Sequence, residues 1–134
     1  MNPTLKITRI NMREFQVNES KIYLNEDDII CNEAYGTPSM ETAQAIKDAN
    51  LTLACLNGKP SSVLVDLTHA GKPSLEARKI LKKFIECTEV GRLAFIGMHP
   101  VAKVLATFYI GISQKKEIAL FKTKTEALLW LKEK

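Results

Sequence analysis

The stretch Ser62-Val63-Leu64-Val65-Asp66-Leu67 decides the architecture. It is a short apolar run with little alternation, which suits a strand buried on both faces at the centre of a parallel sheet. The segments on either side read as helices. Upstream, Met40, Ala43, Ile46, Ala49, Leu53 and Leu56 recur at helical spacing, and Asn57-Gly58 closes the run as a C-cap would. Thr37-Pro38 offers this helix a cap and a first-turn proline, with Ser39 as the alternative cap. Downstream, Ser74 can cap a second helix that carries Ala77, Ile80, Leu81, Phe84 and Ile85 on one stripe. Arg78, Lys79, Lys82, Lys83 and Glu86 form its other face, and Gly91 stops the segment.

The alternation continues to the end of the chain. Leu93-Ala94-Phe95-Ile96 repeats the buried-strand pattern, and Pro100 opens a third helix ending near Gly111 or Ser113. Ile118-Ala119-Leu120-Phe121 is a further short strand. Thr123-x-x-Glu126 is a capping box leading a last helix with Ala127, Leu128 and Leu131 inward. Strands alternating with helices at this spacing imply βαβ crossovers, parallel pairing and right-handed connections. Toward the amino terminus the period is two: Phe15 and Val17 alternate with Glu14 and Gln16, and Asn18-Glu19-Ser20 marks a turn. Lys21 to Leu24 and Ile29 to Tyr35 read as strands joined by Asn25-Glu26-Asp27-Asp28, residue types that tolerate tight turns. The expected fold class is α/β, a mixed sheet opened by an antiparallel hairpin, followed by parallel βαβ units and four helices. The spacing of Leu5, Ile7, Ile10 and Met12 fits neither period well, so residues 1–12 read as a lead-in segment, partly extended, and residues 13–134 as one domain.

Composition narrows the function classes. A chain of 134 residues, 46% hydrophobic and 25% charged, can bury a core without metals or disulfides. Cys31, Cys55 and Cys87 are widely spaced, odd in number and form no C-x-x-C pair, as thiols in a reducing compartment do. The first residues lack a basic start and a long apolar run, and no stretch approaches a membrane span, so a cytoplasmic location is expected. The net charge of +4 concerns solubility and loose attraction to anions.

Candidates for chemistry are few. Asp66-x-x-His69 lies at a strand end, where α/β folds often place function, and is the one candidate catalytic pair. Its bland alternative is a loop histidine beside an aspartate that ties down backbone. His99 before Pro100 reads as a helix-start residue, and a Cys87–His99 nucleophile and base is weaker still. Two histidines and three scattered thiols do not make a metal site, and neither phosphate-cradling glycine motif is present, so no metal and no cofactor is expected. The basic face of the second helix lacks stacking aromatics, so it reads as a solvated face rather than a nucleic-acid surface.

The third helix, Pro100 to Ile112, is apolar nearly all round. Val101, Val104, Leu105, Phe108 and Ile112 make a stripe expected to face the sheet. Ala102, Ala106, Tyr109 and Ile110 fall outside it, leaving only Lys103 and Thr107 as a polar strip. A helix covering one side of a small domain should be polar on its outer half. Either neighbouring segments cover the excess, or an apolar patch around Tyr109 and Ile110 contacts a second copy, another protein or a lipid chain.

This order of elements resembles the STAS fold, the domain of bacterial anti-anti-sigma factors and of anion-transporter tails. More narrowly it resembles small stand-alone bacterial STAS-like proteins related to the Sec14-type lipid-binding fold. The resemblance rests on the hairpin Lys21 to Tyr35, the strand Val63-Leu64-Val65-Asp66-Leu67 and the helix start Ser74-Leu75-Glu76-Ala77-Arg78. The ending with Phe121, Glu126-Ala127-Leu128 and Trp130-Leu131 also matches, so about residues 13–134 are covered. It implies a non-catalytic regulatory or protein-interaction module that self-associates as a dimer or binds another protein. It also permits a carrier of a small apolar ligand or lipid chain, while an enzyme using Asp66 and His69 is the remaining rival. Anti-anti-sigma proteins carry a phosphorylatable serine in an Asp-Ser-Ser-Gly context where the second helix begins. This chain has Lys72-Pro73-Ser74-Leu75 there, which makes Ser74, and then Thr68, the phospho-acceptor candidates.

Overall fold

The computed structural model of the chain describes residues 5–58, 60–97, 99–112 and 116–133, the side chains of residues 108, 109 and 112 excepted. The elements are β1 (Ile7–Asn11), β2 (Glu14–Val17), β3 (Ser20–Leu24), β4 (Ile30–Gly36), α1 (Met40–Asn57), β5 (Ser61–Ala70), α2 (Leu75–Glu86), β6 (Val90–Ile96), α3 (Pro100–Ile112), β7 (Ile118–Phe121) and α4 (Lys124–Lys132). The strands form one mixed sheet in sequence order, β1 to β7. β1 to β4 pair antiparallel, and β4 to β7 pair parallel.

Local chemistry accounts for the boundaries. Ser39, not Thr37, caps α1 by accepting the Thr42 N–H, and Gly58 closes it in the left-handed region at φ 64°. Ser74 and Thr123 cap α2 and α4. The β3–β4 turn is held by Asn25, whose Oδ1 accepts from the backbone N–H of Asp27 and Ile29. Arg13 Nη2 closes it from outside by donating to Asn25 O and Asp28 Oδ1.

Residues 1–12, expected as a lead-in segment, supply a strand: β1 pairs with β2 from Ile7↔Val17 to Asn11↔Glu14. Its apolar residues evade both periodic templates because every residue of β1 is exposed, so no buried face imposes a period.

With right-handed crossovers, a strand order that advances in one direction places every crossover helix on the same face. The core agrees: residues of α1, α2 and α3 share one cluster with Ile22, Ile30, Val63 and Leu93. α4 follows the last strand, is free of that rule, and covers the opposite face against Cys31, Leu64 and Ala94. Val63 and Leu64 point to opposite sides and are 0% and 2% exposed, so β5 is buried on both faces. The far face beyond α4 is polar, crossed by the in-register row Gln16, Lys21, Glu33 and Asp66.

Candidate functional site

The parallel strands β4, β5 and β6 end where α1, α2 and α3 begin, the end of an open α/β sheet where ligands and partners usually bind. Between the sheet and these helices lies a cavity of about 90 Å³ with almost wholly apolar walls, among them Ile46, Val65, Phe84 and Phe95. Its rim includes Gly36 at the end of β4 with Pro38 beyond it, and Gly71 and Pro73 after β5. The two rim loops are joined by the Gly71 N–H donating to Gly36 O at 2.7 Å. Close-packed interiors hold few voids larger than a water molecule. Left empty, one of this size forgoes about 2 kcal/mol of packing.

Among the described residues two buried polar side chains line the cavity, Ser20, whose Oγ accepts the Tyr35 N–H at 3.0 Å, and Asn32. Asn32 of β4 lines it and is paired through both amide groups with Asn50 of α1, each Nδ2 donating to the other's Oδ1 at 2.8 Å. Asn50 Nδ2 also donates to Ile46 O. Both side chains are buried, so the pair pins α1 to β4 at a fixed height. The sequence signal for this pair is an asparagine on a helix whose other buried residues are all apolar.

The candidate catalytic pair is not assembled. Asp66 Oδ1 accepts from Thr68, from the backbone N–H at 2.9 Å and from Oγ1 at 2.5 Å. The His69 ring stacks on Tyr35, its partner on β4, with centroids 4.9 Å apart and planes 9° apart. Neither Asp66 nor His69 lines the cavity. Each of the two side chains is engaged by a neighbour along or across the strand. His99 Nε2 lies 2.8 Å from Leu67 O while Nδ1 accepts the Ala102 N–H, so the ring ties the start of α3 to β5. Cys87 stands after α2, at the other end of the parallel strands from His99, and its thiol donates to Lys83 O. Among the described residues no cluster of three or more His, Cys, Asp or Glu could hold a metal ion. No helix there is long and apolar enough to cross a membrane.

The α3 stripe is turned from the one expected. Ala102, Leu105 and Ala106 face the core, the alanines at 0% exposure, whereas Val101 and Val104 are 43% and 67% exposed. Ala102 and Ala106 thus cannot be interface residues. Small side chains lie inward because α3 packs close to the sheet. A Cβ on Gly97, just after β6, would fall 2.7 Å from the Ala102 Cβ. Ile110 is 38% exposed, as expected, and the Tyr109 side chain lies outside the described residues, with those of Phe108 and Ile112. Val101 and Val104 border an open cleft of about 400 Å³ against the start of α2, where Lys72 and Arg78 form the other side. The Ser74 hydroxyl, half-buried, accepts the Ala77 N–H at 3.1 Å at that helix start. Thr68 is exposed on the far end of β5.

On the α4 face, Lys124 Nζ donates to the Tyr23 hydroxyl at 3.1 Å beside Cys31. Burial pushes the Cys31 thiol up to about 11 and also raises Tyr23, while the bond to Tyr23 raises Lys124. Such a thiol is a packing group rather than a nucleophile.

Comparison with solved structures identifies the fold. A protein of the DUF3478 family from Shewanella loihica PV-4, described as uncharacterized and as having a SpoIIAA-like fold, matches with a TM-score of 0.64 at 22% identity, over 98% of each chain. The anti-sigma factor antagonist SpoIIAA in its unphosphorylated form matches with a TM-score of 0.57 at 8% identity, over 98% of this chain and 100% of that one. At these identities the likeness is one of fold, and the domain is STAS-like. No curated protein matches the sequence. Residues 22–134, from within β3 to the end of the chain, match the family model described as a domain of unknown function, DUF7793, and the chain belongs to that family.

Proposed function

We propose that this chain is a non-catalytic regulatory module of STAS type that acts in the cytoplasm by protein contact and self-associates through the outer side of α3. The observation that carries the reading is Val104, 67% exposed at the middle of a helix whose inner face is already satisfied by Ala102, Leu105 and Ala106. Val101 beside it and the cleft toward Lys72 and Arg78 extend an apolar surface with a basic border. The fold supports a regulatory role, because the SpoIIAA protein of the same fold is described as an antagonist of another protein.

Sedimentation of the native protein across micromolar concentrations tests the self-association. A concentration-dependent dimer that Val104→Glu converts to monomer, with the circular dichroism unchanged, supports it. A monomer throughout, or a dimer indifferent to Val104→Glu and Ile110→Glu, overturns it.

A phosphate switch in this reading sits on Ser74 rather than Thr68. A phosphate on Ser74 would stand at the α2 amino terminus, where anions are favoured. On Thr68 it would meet the Asp66 carboxylate that the hydroxyl now contacts. Mass mapping of protein purified from its native cell, with phosphate on Thr68 and none on Ser74, would refute this preference.

A further inference from the structure

We infer that the cavity between the sheet and helices α1 to α3 is a binding site for a compact, uncharged hydrophobic molecule bearing one hydrogen-bond acceptor. The inference is independent of the contact surface on α3. Three observations carry it.

The first is size. An empty cavity of about 150 Å³ lined by Leu, Ile and Phe takes up benzene, so 90 Å³ encloses only part of a molecule of that size, the rest standing in the partly open rim. The second is the wall. Val65, Phe84 and Phe95 give a surface that holds water poorly, and strand alternation sends the side chains of Lys21 and Glu33 to the far face of the sheet. A charged ligand has no counter-charge from them. The third is Asn32, since Ser20, the other buried polar side chain of the wall, already accepts the Tyr35 N–H. Asn32 Nδ2 carries two N–H bonds. One goes to Asn50 Oδ1, and the other has no partner among the described residues. Asn32 is 6% exposed and lines the cavity, so a ligand oxygen there would complete its hydrogen bonding. An apolar pocket with one placed polar group is how small-molecule sites are commonly built.

The test is an NMR titration of the full chain with cyclohexanone and with methylcyclohexane, two molecules of nearly equal shape. Saturable shifts at Val65, Phe84 and Asn32 are expected for both, and the double change Asn32→Val with Asn50→Leu should weaken the ketone about tenfold while leaving methylcyclohexane nearly unchanged. Two plugging variants, Ala34→Leu at the rim and Val65→Phe in the wall, should each abolish binding while keeping the circular dichroism of the native chain. If neither variant folds, a shift map confined to cavity residues in the native chain serves the same purpose. No saturable binding of either molecule overturns the inference. A ketone affinity that the double change leaves unaltered overturns the role of Asn32. Binding of palmitate with no binding of cyclohexanone overturns the ligand class in favour of an acyl chain.

Discussion

Replacing Asn50 with alanine should destabilise the chain far more than the loss of one surface group. The substitution removes both bonds to Asn32 and the bond to Ile46 O. It also leaves the Asn32 amide buried with nothing to satisfy it. A buried donor or acceptor stripped of its partner costs about 1–3 kcal/mol, and Asn32 would lose one of each, so roughly 3–4 kcal/mol is expected for the single change. With an unfolding entropy of about 2.1 cal/mol/K per residue over a chain of 134 residues, that lowers the melting temperature by about 10–14 °C. The double change Asn32→Val with Asn50→Leu removes both polar groups and should cost less than Asn50→Ala alone, since no orphaned amide remains. Urea unfolding of Asn32→Val, of Asn50→Leu and of the double variant yields the coupling energy, expected at about 2 kcal/mol or more. Single-variant costs that simply add in the double, or an Asn50→Ala cost under about 1 kcal/mol, would refute the claim that this pair acts as one unit between β4 and α1.

Other outcomes follow from the caps and the buried thiol. Ser74→Ala should destabilise by about 1 kcal/mol through loss of the α2 cap, and Ser74→Asp should retain most of the stability; chemical denaturation distinguishes them. The Cys31 thiol ionises at about 11 in the fold against 9.0 as its ordinary value, so the unfolded chain releases this proton first. The associated stability, about 2–3 kcal/mol by the conversion of two pK units, is complete below pH 9 and is lost as pH rises toward 11. The raised Tyr23 and Lys124 act in the same direction, so Cys31→Ala should flatten the stability decline over that window without abolishing it. In the native state a thiol reagent at neutral pH should modify exposed Cys55 quickly and Cys31 only on unfolding.

Much of the architecture was legible because each element announces itself locally. The run Val63 to Leu67 is apolar on both sides, and the structure buries both sides with different helices. Ser74, Thr123 and Gly58 mark helix ends through their own hydrogen bonding or backbone conformation, so they need no distant partner. β1 was legible only as a partly extended lead-in, since a fully exposed edge strand carries no burial pattern and is held by the neighbour it pairs with. The rotation of α3 was missed for a related reason. Periodicity finds an apolar face but does not tell which apolar residues lie inward where two elements meet closely. Here the meeting at Gly97 and Ala102 admits alanine and turns valine out.

The sequence by itself determined that this is an α/β domain with parallel crossovers, where its helices start, and that it carries no sequence motif for a nucleotide or a metal. Those properties depend on spacing and on residues a few positions apart. Only the tertiary structure decided that Asp66 and His69 are spent on Thr68 and Tyr35, that Asn32 meets Asn50, and that a void remains under α1 and α2. Each of these depends on the distance between elements far apart in the chain, which is set by how all the side chains pack together and is written in no single segment.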